Sequence, residues 1–233
     1  GDRREGGGVF KRRHQRAGCD GSTALMTALN SAIHELDRAT TTPELVRATQ
    51  TLCGLKDLEA APTLIKVLGF NNPAVGAVAT QGLIDLGRDV VPMLLANMDD
   101  GNYGARAWVI RAIATLRDPR GLDLLEHALN ADIAPSVRRS ATRGLAEMEL
   151  EGPNVSKNFS RCCEALFKAA ADDEWIVRYA AAFGLEQRFC QNSTDTGLRR
   201  QAIAYLEQLS SNSEAVKVVK QRAKLALQRL QAG

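Results

Sequence analysis

From residue 75 onward, one nine-residue pattern of small, basic and aliphatic positions recurs along the chain. It runs as a small or β-branched residue, then usually a basic one, a small residue at +4, Gly or Ala at +7 and an aliphatic at +8. The copies are Val75-Gly76…Ala79…Gly82-Leu83, Ala105-Arg106…Val109…Ala112-Ile113, Val137-Arg138…Ala141…Gly144-Leu145, Val177-Arg178…Ala181…Gly184-Leu185 and Val219-Lys220…Ala223…Ala226-Leu227. Leu45-Val46-Arg47 begins a sixth, weaker copy. Offsets of 0, 4, 7 and 8 share one face of a helix turning every 3.6 residues, so each copy predicts a helix with a narrow apolar stripe. Ahead of each runs a second amphipathic segment: Ala60 to Leu68, Val90 to Met98, Leu122 to Leu129, Cys162 to Ala170 and Ile203 to Leu209. A helical pair therefore recurs every thirty to forty residues.

The punctuation agrees. Asn72-Pro73 and Ala134-Pro135 place proline at a first helical position, Asp118-Pro119, Asp172-Asp173 and Asn192-Ser193 start or cap other helices, and Gly69 and Gly87 suit C-terminal caps. No run alternates as a half-buried strand does. One such pair cannot cover its own apolar face, so the pairs must stack into a common core. The expectation is an all-α, right-handed α-solenoid of five to six HEAT-like helical hairpins, forming one domain over residues 22–233. The end segments, Thr23 to Leu36 and Val216 to Leu230, are candidate docking caps.

Composition narrows the function. The 45% hydrophobic and 24% charged residues are those of an ordinary globular chain, and no apolar run is long enough to span a bilayer. The net charge of +3 lies wholly in the first 21 residues, where six basic residues face three acids, leaving 24 of each sign beyond them. That Gly-rich segment, residues 1–21, reads as a disordered tail. A neutral body argues against nucleic-acid binding. Five cysteines form no CxxC pair and no zinc spacing, and three histidines form no catalytic arrangement, so neither a metal site nor acid–base machinery is indicated.

The residues with recognition chemistry gather instead at the turns entering the second helices, which a solenoid aligns along one rim. Both tryptophans and two of the three tyrosines fall there, with Arg106, Arg138 and Arg178 at equivalent positions. Two readings stand. The arginines bridge to acids in the adjoining repeat as a stacking ladder, or they pair the carboxylates of a planar acidic ligand. On the second reading the candidate set is Asp99, Asp100, Tyr103, Arg106, Trp108, Arg138, Arg139, Trp175, Arg178 and Tyr179, with aromatics stacking on rings and Asp99 or Asp100 accepting from ring N–H groups.

These segments, together with Pro62 to Pro73, Asn102 to Trp108, Asp118 to Leu125, Ser136 to Arg139 and Trp175 to Ala181, resemble the F-type subunit of the E/F phycobilin lyases, a family of HEAT-repeat proteins. The resemblance implies a lyase subunit that works as a heterodimer with an E-type partner. It would bind a linear tetrapyrrole, phycocyanobilin or phycoerythrobilin, as substrate, with no permanently bound cofactor. It would direct thioether attachment to a cysteine of a phycocyanin or phycoerythrin α subunit, in the cyanobacterial cytoplasm or the plastid stroma. The adjacent His-Cys pair that marks the family's lyase-isomerases does not occur. A chaperone that binds phycobiliprotein without attaching anything, and a generic interaction scaffold, are the alternatives.

Overall fold

The computed structural model describes residues 20–98, 101–190 and 195–232. Among them run twelve α-helices: α1 (Asp20–Arg38), α2 (Thr42–Gly54), α3 (Ala61–Leu68), α4 (Pro73–Asp85), α5 (Val91–Ala96), α6 (Tyr103–Leu116), α7 (Leu122–Ala131), α8 (Pro135–Glu147), α9 (Val155–Ala170), α10 (Trp175–Cys190), α11 (Thr196–Ser210) and α12 (Lys217–Ala232). They form six antiparallel pairs, with α1 and α2 supplying the sixth repeat that Leu45-Val46-Arg47 only hints at. The expected tail lies outside the described residues as far as residue 19, and α1 begins at Asp20.

The repeating pattern is the register of burial. Val75, Ala79 and Leu83, Val137, Ala141 and Leu145, and Val177, Ala181 and Leu185 are all buried. The second helices α2, α4, α6, α8, α10 and α12 pack closely on one another in sequence, whereas the first helices touch their counterparts only sparsely. A stack whose second helices lie closer together than its first helices must curve, with the second helices on the concave side.

Position +7 sets that closeness. A Cβ on Gly144 would stand 2.8 Å from the Cα of Ala114 in α6 and 2.6 Å from Leu125, and one on Gly184 would stand 2.8 Å from Ala146 in α8. Glycine is there because the backbone of Ala114 at one joint, and the side chains of Leu166 and Ala146 at the other, occupy the space a side chain would need.

Local chemistry fixes the ends. Asn72 accepts from the N–H groups of Ala74 and Val75 ahead of Pro73, Thr41 and Glu44 form a capping box on α2, and Asp195 accepts from the N–H of Leu198 at the start of α11. The expected cap Asn192-Ser193 lies outside the described residues. Gly87 takes a left-handed φ of 77° just past α4. Asp118-Pro119 opens a short 3₁₀ turn that leads into α7. Helices α9 and α11 each begin seven residues earlier than the hydrophobic pattern predicts, at Val155 and Thr196 against Cys162 and Ile203. In α9 the first turns are polar on most sides, and Phe159 alone carries them onto the core, edge-on to Phe189 at 5.6 Å.

Gly144→Ala is expected to lower stability by about 1–3 kcal/mol through overpacking against rigid backbone. Gly54→Ala, where nothing lies within 4 Å of the added Cβ, is expected to be neutral or to stabilise by about 0.5–1 kcal/mol. Thermal melts followed by helical circular dichroism compare the two.

Candidate functional site

The basic residue at +1 of the pattern stands in the first turn of α6, α8 and α10, beside the turn of the next pair. Arg106 Nε donates to Asp132 at 2.8 Å. Arg138 grips both oxygens of Asp172 at 2.8 and 3.0 Å, and Arg178 grips Glu214 at 2.7 and 2.9 Å. The Nη1 groups of Arg138 and Arg178 also donate to two carbonyls of their own turns, those of Asp132 and Ile133 and of Asp172 and Asp173. Each guanidinium therefore ties its own turn to the acid of the following one. This is the stacking ladder, and it leaves the forks of Arg138 and Arg178 facing protein oxygens.

The ladder is sheltered, its three acids being only 4–11% exposed. The Arg178 hydrogen bonds hold the Glu214 carboxyl below its ordinary range against the upward push of burial. Burial pushes Asp172 up, but bonds from Arg138 and from the N–H of Glu174 outweigh it, so its carboxyl is also held low. The same bonds raise Arg138 and Arg178.

The +1 position of α4 is Gly76, and here the indole of Trp108 takes the place of a rung. A Cβ on Gly76 would lie 2.4 Å from its Nε1. Side-chain amides complete the link, with Asn102 donating to the Gly69 carbonyl at 3.2 Å and Asn72 donating to the Thr42 hydroxyl at 3.0 Å. Tyr103 and Trp108 share an open groove of about 540 Å³ with Asn71, Pro73 and Gly104, between the N-terminal ends of α4 and α6. The Tyr103 hydroxyl lies 3.3 Å from Ser136 Oγ, and the Arg106 guanidinium sits 5.5 Å from its ring centroid.

Successive turns also leave one large apolar side chain each in solvent: Phe70, Tyr103, Ile133 and Trp175. Tyr179 is half-buried against the core. Asp99 and Asp100 lie outside the described residues. Tyr103, Arg106, Arg138, Trp175 and Arg178 thus line one rim, as the sequence reading requires.

Arg139 points elsewhere. It lines a groove of about 210 Å³ between α6 and α8 on the concave side, with Arg111, Arg117, Ser140, Arg143 and Glu147. Apart from Arg139, sequence reasoning missed this set. Arg111 and Arg143 occupy position +6 of the pattern, where the copies read Gln81, Arg111, Arg143, Phe183 and Leu225.

No activated nucleophile accompanies either groove among the described cysteines. Burial pushes Cys53 up to about 11 and Cys163 up to about 12, and it raises Cys162 and the exposed Cys190 as well. Thiols held protonated are poor nucleophiles. The arrangement can hold and orient a ligand; it offers little for acid–base or covalent chemistry.

Comparison with known proteins is consistent with this. A family of HEAT repeats matches residues 71–146. The chain is 56% identical over 205 residues, 88% of its length and 97% of the relative's, to the bilin biosynthesis protein RpcF of Synechococcus sp. (strain WH8020). It is 45% identical over 160 residues, 67% of its length and 80% of the relative's, to the phycocyanobilin lyase subunit beta of Nostoc sp. (strain PCC 7120). Among solved structures it is similar to a chain in the complex of CpcE and CpcF of phycocyanin lyase from Nostoc sp. PCC7120. That likeness has a TM-score of 0.65 and 41% identity, and covers 73% of this chain and 99% of that one.

Asp172→Asn leaves a sheltered guanidinium without its counter-charge and is expected to cost about 3 kcal/mol at pH 7. Because the folded carboxyl titrates below its unfolded range, this contribution is complete above the unfolded pKa and fades as pH falls through the folded one. The gap between wild type and variant in urea melts is therefore expected to close on acidification below about pH 4.

Proposed function

We propose that this chain, which belongs to the F-type, or β, subunits of the E/F phycobilin lyases, is one half of a heterodimeric lyase that holds a linear tetrapyrrole and directs its thioether attachment to a cysteine of a phycobiliprotein α subunit. The reading rests on the near full-length identity to the bilin biosynthesis relative. The chemistry of the site supports it. Adding a thiolate across an exocyclic double bond needs the nucleophile and the tetrapyrrole held within reach of each other, and alignment alone lowers such a barrier substantially. The thiolate comes from the acceptor, so the raised thiols of this chain are no obstacle.

A heterodimer needs a free face. Both end helices leave large apolar side chains in solvent, Leu25 and Met26 on α1 and Val218 and Leu225 on α12. No helix among the described residues is long and apolar enough to cross a membrane, and the relatives come from cyanobacteria. We read the reaction as one of the cyanobacterial cytoplasm or a plastid stroma, a reading that the source of the relatives supports. The substrate is phycocyanobilin or phycoerythrobilin, held without a lasting bond.

Co-expression with an E-type partner, an acceptor α subunit and a bilin-producing pathway is expected to give covalent colour on the acceptor band of a denaturing gel. Neither subunit alone should give it, and no colour should stay on this chain. An acceptor left uncoloured by the pair with both bilins, while still captured by it, would make the chain a chaperone.

A further inference from the structure

The rim arginines are held by protein oxygens, which leaves open what balances the acidic groups of a bilin. A linear tetrapyrrole is flat, conjugated and carries two propionates. Its binding surface must supply two positive charges beside apolar faces. We propose that the concave groove between α6 and α8 receives these propionates, with Arg111, Arg139 and Arg143 as their counter-ions. This deepens the lyase reading and rests on it.

Charge within the groove is lopsided. Four guanidiniums, those of Arg111, Arg117, Arg139 and Arg143, meet one carboxylate, Glu147. That carboxylate is shared, accepting from Arg117 at 3.0 Å and from Arg143 at 3.1 Å. The Arg111 guanidinium lies 5.7 Å from the centroid of the Trp108 ring, and among the described residues neither Arg111 nor Arg139, both exposed, forms an ion pair with a carboxylate. The body beyond residue 21 carries equal numbers of positive and negative groups. An excess of charge in one groove is therefore a segregation of sign.

Two aromatic rings lie against arginines of this groove, Trp108, which also lines the rim groove, and Phe183. Trp108 lies on the α6 side. On the α8 side the Arg143 guanidinium stacks 3.7 Å from the centroid of Phe183, a residue of α10. Arg222 of α12 also lies near that ring, 5.5 Å from its centroid. Arg222 is buried, is paired to Glu186, and its Nη1 has no hydrogen-bond partner among the described residues. Alternating Arg and ring from Trp108 to Arg222 suits a molecule that is itself ring and carboxylate, since guanidinium forks match carboxylates and stack on π-faces. A polyphosphate chain is matched less well, because Glu147 and Glu186 interrupt the positive track.

The test uses the assembled pair of this chain with its E-type partner and two probes, free-acid phycocyanobilin and its dimethyl ester, titrated by absorbance. Wild type is expected to bind the acid about tenfold or more tightly than the ester, as charge-assisted bonds of this kind predict. Arg111→Gln with Arg139→Gln, both exposed, is expected to remove that preference, weakening the acid by the same factor and leaving the ester and the melting temperature unchanged. If the double variant binds the acid as wild type does, or wild type binds acid and ester alike, the propionate site is wrong while the lyase reading stands. If wild type binds neither probe, the lyase reading fails and takes this inference with it.

Discussion

No helical pair in this chain can bury its own apolar stripe, and the structure follows from how that constraint is met. Helices α4, α6, α8 and α10 bury a stripe at offsets 0, 4 and 8, and in α8 and α10 the glycine at +7 sits between the pair partner and the preceding second helix. The backbones of α6, α8 and α10 consequently approach until an added methyl would collide with the next helix. Burial of this kind is non-directional and fixes only proximity. Direction comes from the arginines at +1, whose forks accept one angle of approach to Asp172 or Glu214.

That division of labour separates the two surfaces on which a ligand could rest. The rim is where the stack is bolted together. Its guanidiniums face acids and carbonyls, and its exposed apolar side chains, Phe70, Ile133 and Trp175 among them, stand one per turn. The inner face takes no part in the ladder: at position +6 it carries Arg111 in α6 and Arg143 in α8, both beside the concave groove, and in α10 Phe183, which packs against the core. Arg111, Arg143 and Phe183 differ from repeat to repeat because the ladder and the buried stripe are built from other positions.

The same distinction governs how much was legible in the sequence. Residues that repeat are those that stack, so Val137, Ala141, Gly144 and Leu145 announce both helix and packing face in the sequence itself. The ladder's acids were harder. Asp132, Asp172 and Glu214 lie far along the chain from the arginines they serve, and nothing local distinguishes them from other turn acids. The first turns of α9 were invisible because Ser156, Lys157 and Asn158 break the apolar rhythm that Phe159 alone sustains. Arg111 and Arg143 were missed for a further reason: a search for periodicity discards whatever varies, and in a repeat protein recognition is carried by what varies.

The glycine contact between α6 and α8 has a mechanical reach beyond its own neighbourhood. In a linear stack every joint carries all the units beyond it, so a change of a few degrees where Gly144 meets Ala114 swings α10 and α12 as an arm about that point. The displacement grows with distance from the pivot. Small residues at these joints therefore act as the calibration marks of a caliper: they set how far apart the jaws stand at the far end, where another protein would have to fit.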